Sequence, residues 1–327
     1  MKPEYIKLVE FYRNGLVEQE HFGLILYMSK HNLLGILGSD NNYKFFQRSC
    51  MKPLQLALHM DLGLDKIFDF SSEEMAVGAA SHTGDLEHQR VVRNVLEKLG
   101  FDESNLLCPP QVPLSKKEQE RLLLAGLEPK AIHNNCSGKH SMMLALCKYK
   151  GWDISNYLDD SHPLNVEIIK RVLELSEVEG GDFVKSKDGC GLPTVATTLL
   201  QLGKAFLNLF LDEKYSAIKK AFLDNPYLIG GHGRLDSEII AASDNLIAKV
   251  GAGGLVVVVN LDQEEAVVVK IDDANMKARS LVAIEFLRQL GWLDENSIQS
   301  NPINKLFDKS IKTLQGEYLG EVKFGFQ

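Results

Sequence analysis

Chemistry-bearing side chains gather in five short segments of this sequence. The first is Arg48-Ser49-Cys50-Met51-Lys52-Pro53. Ser49 and Lys52 are three residues apart and share a face if they are helical. Pro53 has no N–H and is tolerated only near a helix start, which draws that start back to about Ser49. A hydroxyl there lies at the positive end of the helix dipole, which favours an alkoxide. The same field disfavours an ammonium on Lys52 and makes it a usable base. A Ser–Lys pair is one way to activate a weak nucleophile. Ser-x-x-Lys alone is common by chance, however, and taken by itself reads first as an N-cap serine and a surface lysine.

Four more segments share this density. Ser81-His82-Thr83-Gly84-Asp85-Leu86-Glu87-His88 crowds two hydroxyls, two imidazoles and two carboxylates into eight residues. It suits a helix cap and a catalytic loop equally. His133-Asn134-Asn135-Cys136-Ser137-Gly138-Lys139-His140 precedes an apolar helical run, and so many polar groups are costly to bury without a purpose. Gly138-Lys139 looks like the end of a phosphate loop, but G-x-x-x-x-G-K-[ST] spacing is absent and residue 140 is His, which excludes a nucleotide loop. Asp188-Gly189-Cys190-Gly191-Leu192-Pro193-Thr194 flanks a cysteine with glycines. No CxxC or HxxxH spacing is present, so spacing alone points only weakly to a metal. The fifth segment, Gly230-Gly231-His232-Gly233-Arg234-Leu235-Asp236, leads on to Ala248-Lys249-Val250-Gly251-Ala252-Gly253-Gly254 before a Val-rich stretch.

The elements that must hold these segments follow from periodicity. Phe22–Met28 and Leu33–Leu37 read as a hairpin, with Asn14-Gly15 as an earlier turn. From Lys52 the pattern becomes helical: Pro53–Asp61, Glu73–Ala80, His88–Leu99, Lys116–Ala125, Ser141–Tyr149, Pro163–Glu177, Val195–Leu209 and Lys214–Asp224. Strands return at Leu255–Leu261 and Ala266–Ile271 around the turn Asp262–Glu265, and a last amphipathic helix spans Met276–Leu290. The economical closure is α/β (α+β): one mixed or antiparallel sheet built from both chain ends and flanked by helices, with a helical subdomain in the middle. We expect one domain over 1–327, its sheet part at about 1–50 and 245–295 and its helical part at about 51–244.

Composition narrows the function class. The 327 residues carry 36 Lys+Arg and 44 Asp+Glu, a formal charge of −8, which argues against a general nucleic-acid binder. No run approaches the length of a membrane span, and Met1-Lys-Pro-Glu-Tyr-Ile-Lys lacks the apolar stretch of an export signal, so a cytoplasmic location is expected. Cys50, Cys108, Cys136, Cys147 and Cys190 are then free thiols or metal ligands rather than a disulfide framework.

Taken together the five segments resemble one family, the L-asparaginase II family of Rhizobium etli inducible-type, or class 3, L-asparaginases. The resemblance runs from about residue 7 to about 290. It rests on RSxxKPxQ at Arg48–Gln55, SHxGxxxH at Ser81–His88, HNNCSGKH at His133–His140, DGCGxPT at Asp188–Thr194, GGxGRxD at Gly230–Asp236 and AKxGAxG at Ala248–Gly254. It implies a fold like serine β-lactamases and glutaminases, and hydrolysis of L-asparagine to L-aspartate and ammonia. It implies two Ser–Lys pairs, Ser49 with Lys52 and Ser81 with Lys249. It also implies zinc on Cys136, Lys139, Cys190 and a water, and a homodimer. Arg48, His140 and Asp188 become substrate or neighbouring contacts, Asp188 suiting an α-ammonium and Arg48 an α-carboxylate. The chain departs from the commoner pattern with Gly253 where Glu is usual, Thr83 for Ser, Asp85 for Glu and His232 for Thr. The competing expectations are an amidohydrolase preferring glutamine or another small β-amide, a peptidoglycan-type serine enzyme, and a non-catalytic zinc-containing amino-acid sensor.

Overall fold

A computed structural model describes residues 2–300 and 302–326. The chain opens with β1 (Ile6–Arg13), β2 (Leu16–Ser29), β3 (Leu33–Leu37) and the short β4 (Phe45–Phe46). Helices α1 (Met51–Asp61), α2 (Leu64–Ile67), α3 (Ser72–Gly78), α4 (Leu86–Lys98), α5 (Lys116–Leu124), α6 (Ser137–Lys150) and α7 (Pro163–Leu175) follow. A hairpin of β5 (Val184–Lys187) and β6 (Pro193–Thr197) leads to α8 (Leu199–Phe210), α9 (Ser216–Asp224), α10 (Pro226–Ile229) and α11 (Leu235–Ala241). Strands β7 (Leu246–Gly251), β8 (Leu255–Asn260) and β9 (Glu265–Ile271) precede α12 (Met276–Gln289), α13 (Glu295–Ser300), α14 (Ile303–Leu306), β10 (Ser310–Lys312) and β11 (Tyr318–Phe324).

The main sheet is antiparallel, in the order β10-β11-β1-β2-β9-β8-β7, with β3 also paired to β2. Both chain ends build it, and the helices between cover it. Strands β7 and β8 are buried along their whole length. An antiparallel strand alternates its side chains, so both faces are covered here. Helices α8 and α12 both pack on β8 and β9. A second, small sheet, β4-β6-β5, ties residues 45–46 to the hairpin 184–197.

Two expectations are corrected. The helix expected over Val195–Leu209 is a strand to Thr197 followed by a helix from Leu199. Thr198 and Gln201 form a reciprocal capping box that fixes the start, and the β-branched run before it pairs as a strand. The sheet also does not stop near residue 295: β11 pairs with β1 and β10 with β11. Buried Gly320 and Val322 alternate there with exposed Glu321 and Lys323, a period too short and too interrupted by glycine to stand out in sequence.

Gly23 marks the place where β2 has partners on both sides, Ile6 of β1 and Ile271 of β9. A methyl group there would meet Lys270 O at 2.2 Å and Leu8 Cδ1 at 2.8 Å. Gly23→Ala is therefore expected to destabilise the protein by about 1–3 kcal/mol through overpacking, read as a lower urea midpoint at unchanged m-value. An unchanged midpoint would mean the sheet yields here at no cost.

Candidate active site

The Ser49 turn is fixed from three directions. Residues Arg48–Cys50 form a single 3-10 turn and α1 begins only at Met51, with no side-chain cap at either start. Ser49 is thus not the N-cap that Pro53 suggested. The Gln47 N–H donates to Val195 O and the Arg48 N–H to Thr194 Oγ1, both on β6. On the other side Cys50 Sγ donates to Lys249 O of β7 at 3.4 Å. Gly251 permits this approach, because a Cβ there would stand 2.9 Å from Cys50 Sγ. Arg48 itself has φ +50°, a left-handed conformation unusual for a non-glycine residue that the flanking bonds hold in place.

Lys52 points from the first turn of α1 into the protein and is 1% exposed. Its Nζ lies 2.5 Å from Ala80 O, 3.2 Å from Asn135 O and 3.1 Å from Ser81 Oγ. A neutral amine has two N–H groups and one lone pair. Two carbonyls take the protons, and the lone pair is left for the serine hydroxyl. Burial, reinforced by the Lys139 and Lys249 charges, pushes the Lys52 pKa below the usual lysine range.

The resemblance implies pairs of Lys52 with Ser49 and of Ser81 with Lys249. In the structure Lys52 is the lysine on Ser81. Lys249 instead donates to Asp236 Oδ2 at 2.7 Å, in an ion pair with both side chains fully buried. Burial raises the Asp236 carboxyl, but the Lys249 and Arg234 charges outweigh it and hold the pKa below its ordinary value. Asp236 had been quoted within GGxGRxD but given no role. It lies 13 residues from Lys249, and no local spacing rule links the end of a glycine loop to a strand.

Two cavities meet at Ser49. One, of about 300 Å³, is lined by Arg48, Ser49, Asn135, Cys136, Asp188 and Cys190 among others. The other, of about 270 Å³, includes Ser49, Ser81, Asn135, Arg234, Ala252 and Arg279. Arg48 Nε donates to Asp188 Oδ1 at 2.7 Å, so these two expected substrate contacts reach the first cavity as a neutralised pair. His140 lines neither. It is fully buried, with Nδ1 2.8 Å from the Tyr157 hydroxyl, and burial lowers its pKa. It stands behind the cavity wall, beside Cys190, as a neighbouring contact.

Cys136, Lys139 and Cys190 converge at the wall of the first cavity, each at most 4% exposed. Lys139 Nζ is 3.0 Å from Cys190 Sγ. The neighbouring Cys136 thiol and the Lys139 ammonium hold Cys190 well below the usual thiol range despite its burial. Among the described residues no three His, Cys, Asp or Glu side chains gather for a metal, so an ion here needs Lys139 as a ligand. Two sulfurs and an amine suit a borderline cation such as zinc. The Ser81 segment is largely a cap: Asp85 accepts from the Glu87 and His88 N–H groups at the start of α4, and His88 stacks between His82 and Tyr227.

Arg279 was missed altogether. It sits on α12 in the stripe of Val282 and Ala283 and is buried with them, a charge on an apolar helical face that the sequence displays.

No helix among the described residues is long and apolar enough to cross a membrane. Among solved structures the chain is similar to a β-lactamase from Mycobacterium bovis, at 13% identity and a TM-score of 0.43, over 82% of this chain and 94% of that one. No curated protein matches it. The sequence profile of the L-asparaginase II family matches residues 9–324, from within β1 to the end of β11, and the chain belongs to that family.

Proposed function

We propose that the protein hydrolyses the side-chain amide of L-asparagine to L-aspartate and ammonia by acyl transfer through a serine. The observation that carries this reading is the buried Lys52 amine 3.1 Å from Ser81 Oγ, at a cavity that Ser49 shares. Ser49 is the attacking oxygen, because it stands where the two cavities meet. Its proton passes through the Ser81 hydroxyl to Lys52 as the Ser49 oxygen bonds to the amide carbon. The backbone N–H of Ser49 holds the oxyanion, since Thr194 and Gln47 take those of Arg48 and Cys50. The C–N bond then breaks, the proton returns to the nitrogen and ammonia leaves. Water adds to the acyl-enzyme by the reverse relay. The direct Lys52–Ser81 contact favours one second reading, in which Ser81 itself attacks. A slowly hydrolysed β-aspartyl ester, quenched and mapped by mass spectrometry, locates the acyl group on Ser49 or on Ser81. Ammonia release from L-asparagine well above that from L-glutamine and D-asparagine is expected, and folded protein that releases none from L-asparagine overturns the reading.

Because the base works deprotonated, its lowered pKa sets the pH profile. Activity falls as pH drops through that value and levels off above it, at a pH below that of an ordinary lysine. A kcat/KM that keeps rising through pH 10.5, the ordinary lysine value, would show Lys52 unshifted.

Cys136, Lys139 and Cys190 are proposed to hold one zinc ion. It would fix the HNNCSGKH loop, and with it Asn135 at the cavity wall, as a Lewis acid outside the serine chemistry. Elemental analysis of the purified protein is expected to give about one zinc per chain, falling to near zero in Cys190→Ser. An unchanged content in that variant would place the metal elsewhere.

A further inference from the structure

The second cavity is lined by two arginines and no acidic residue. Arg279 is 6% exposed; its Nη1 donates to Gly251 O and Leu255 O, and its Nε is buried without a partner. The Nε of Arg234 is likewise buried and unpartnered. A guanidinium N–H left unpaired inside a protein awaits an acceptor. The neighbouring charges do not supply one. Asp236, the nearby carboxylate, is taken up by Lys249, and its other oxygen, Oδ1, is itself buried without a partner. Arg234, Arg279 and Lys249 against Asp236 leave an excess of two positive charges beside Ser49 and Ser81. The wall at Gly253 is open: its φ is +75° and a Cβ there would meet nothing within 4 Å. The first cavity offers no such excess, because Arg48 and Asp188 neutralise each other.

We propose that Arg234 and Arg279 form a carboxylate pocket that seats the free carboxylate of the substrate, in place of Arg48. This deepens the acyl-transfer reading and rests on it for the identity of the substrate. The amino acid then lies beside Ser49 with its carboxylate against the two arginines. The ion pair and the bidentate hydrogen bonding of such a pocket strengthen binding of the anion and are lost for its ester.

Two measurements on the full-length protein test this, one without turnover. Calorimetric binding of L-aspartate is expected to weaken about 10- to 100-fold in Arg234→Gln, and by a smaller factor in Arg279→Lys, which keeps the charge but loses the Nε donor. Gly253→Asp, which adds a carboxylate to the pocket wall at a left-handed position that Asp tolerates, is expected to weaken it likewise. In turnover, kcat/KM of Arg234→Gln falls about 10- to 100-fold for L-asparagine and by less than about threefold for its α-methyl ester. An equal fall for both substrates shows a structural role and overturns the proposal. So does loss of the acid-over-ester preference in Arg48→Gln with its retention in Arg234→Gln, or wild-type protein that binds no L-aspartate. Arginine-dependent L-aspartate binding without ammonia release supports the pocket and fails only the hydrolase reading.

Discussion

Lys52→Met is expected to lower kcat for L-asparagine by about 10³-fold or more while leaving the protein folded. Methionine matches the lysine stem in length and suits an interior where Lys52 is 1% exposed, so the packing of α1 survives. What disappears is, among the described residues, the one amine in hydrogen-bond contact with a cavity serine. The Ala80 and Asn135 carbonyls lose their donor, at about 1–3 kcal/mol of stability, which separates a folding effect from a catalytic one when unfolding and turnover are measured on the same sample. Lys52→Arg discriminates further. Guanidinium stays protonated at any accessible pH, so it can fill the space and donate to the carbonyls but cannot accept the serine proton. A variant within about tenfold of wild-type kcat would remove Lys52 from the proton path and with it the acyl-transfer scheme. Ser49→Ala and Ser81→Ala are each expected to lose activity on the same scale, because in the proposed scheme one hydroxyl attacks and the other relays; residues acting as one unit give far less than additive losses in the double variant.

The parts of this site legible in sequence were those whose signal is local. Lys52 and Ser81 were picked out by the crowding of polar groups, and α1, α4 and the β8–β9 hairpin by periodicity and turn residues. The sheet built from both ends followed from strand patterns at residues 22–37 and 255–271. Partner choice was not legible. Ser49 and Lys52 look like a pair only if the helix begins at Ser49, yet a 3-10 turn docked on β6 and β7 redirects both side chains, and β6 itself was hidden in an apolar run that also suits a helix. Asp236 and Lys249 meet because α11 packs on β7, a tertiary contact with no periodicity to announce it. Arg279 carried a sequence signal, a charge on a buried stripe, but a single arginine on an apolar face acquires meaning only once the cavity it borders is known.

That ion pair supplies the largest stability effect. Removing either partner, by Asp236→Ala or Lys249→Ala, is expected to cost about 3–5 kcal/mol, because the remaining charge is left fully buried. The double variant Asp236→Leu/Lys249→Met is expected to recover most of that loss, since an apolar pair avoids the desolvation of both ions. Thermal or denaturant unfolding of the three proteins checks this. Single and double variants losing the same amount would mean that packing rather than charge sets the cost. The double variant also tests the role the resemblance implies for Lys249. If the lysine serves only to hold β7 against α11, the refolded apolar version keeps most of its kcat; a loss of about 10²-fold or more would return Lys249 to the proton chemistry beside Ser81. Acid gives an independent signature. Asp236 has a folded pKa below its unfolded one, so its contribution is present at all pH above the ordinary carboxylate value and is lost only as pH falls through the lowered one. Mild acid acts elsewhere. His59, buried against Met142 O, has its pKa pushed down from 6.5 to about 4, so stability is complete above pH 6.5 and drains as pH falls toward 4 while the unfolded chain takes up the proton. The wild type should therefore lose thermal stability in two stages, and the apolar double variant should lose only the first. A second stage that persists without Asp236 would assign it to other carboxylates.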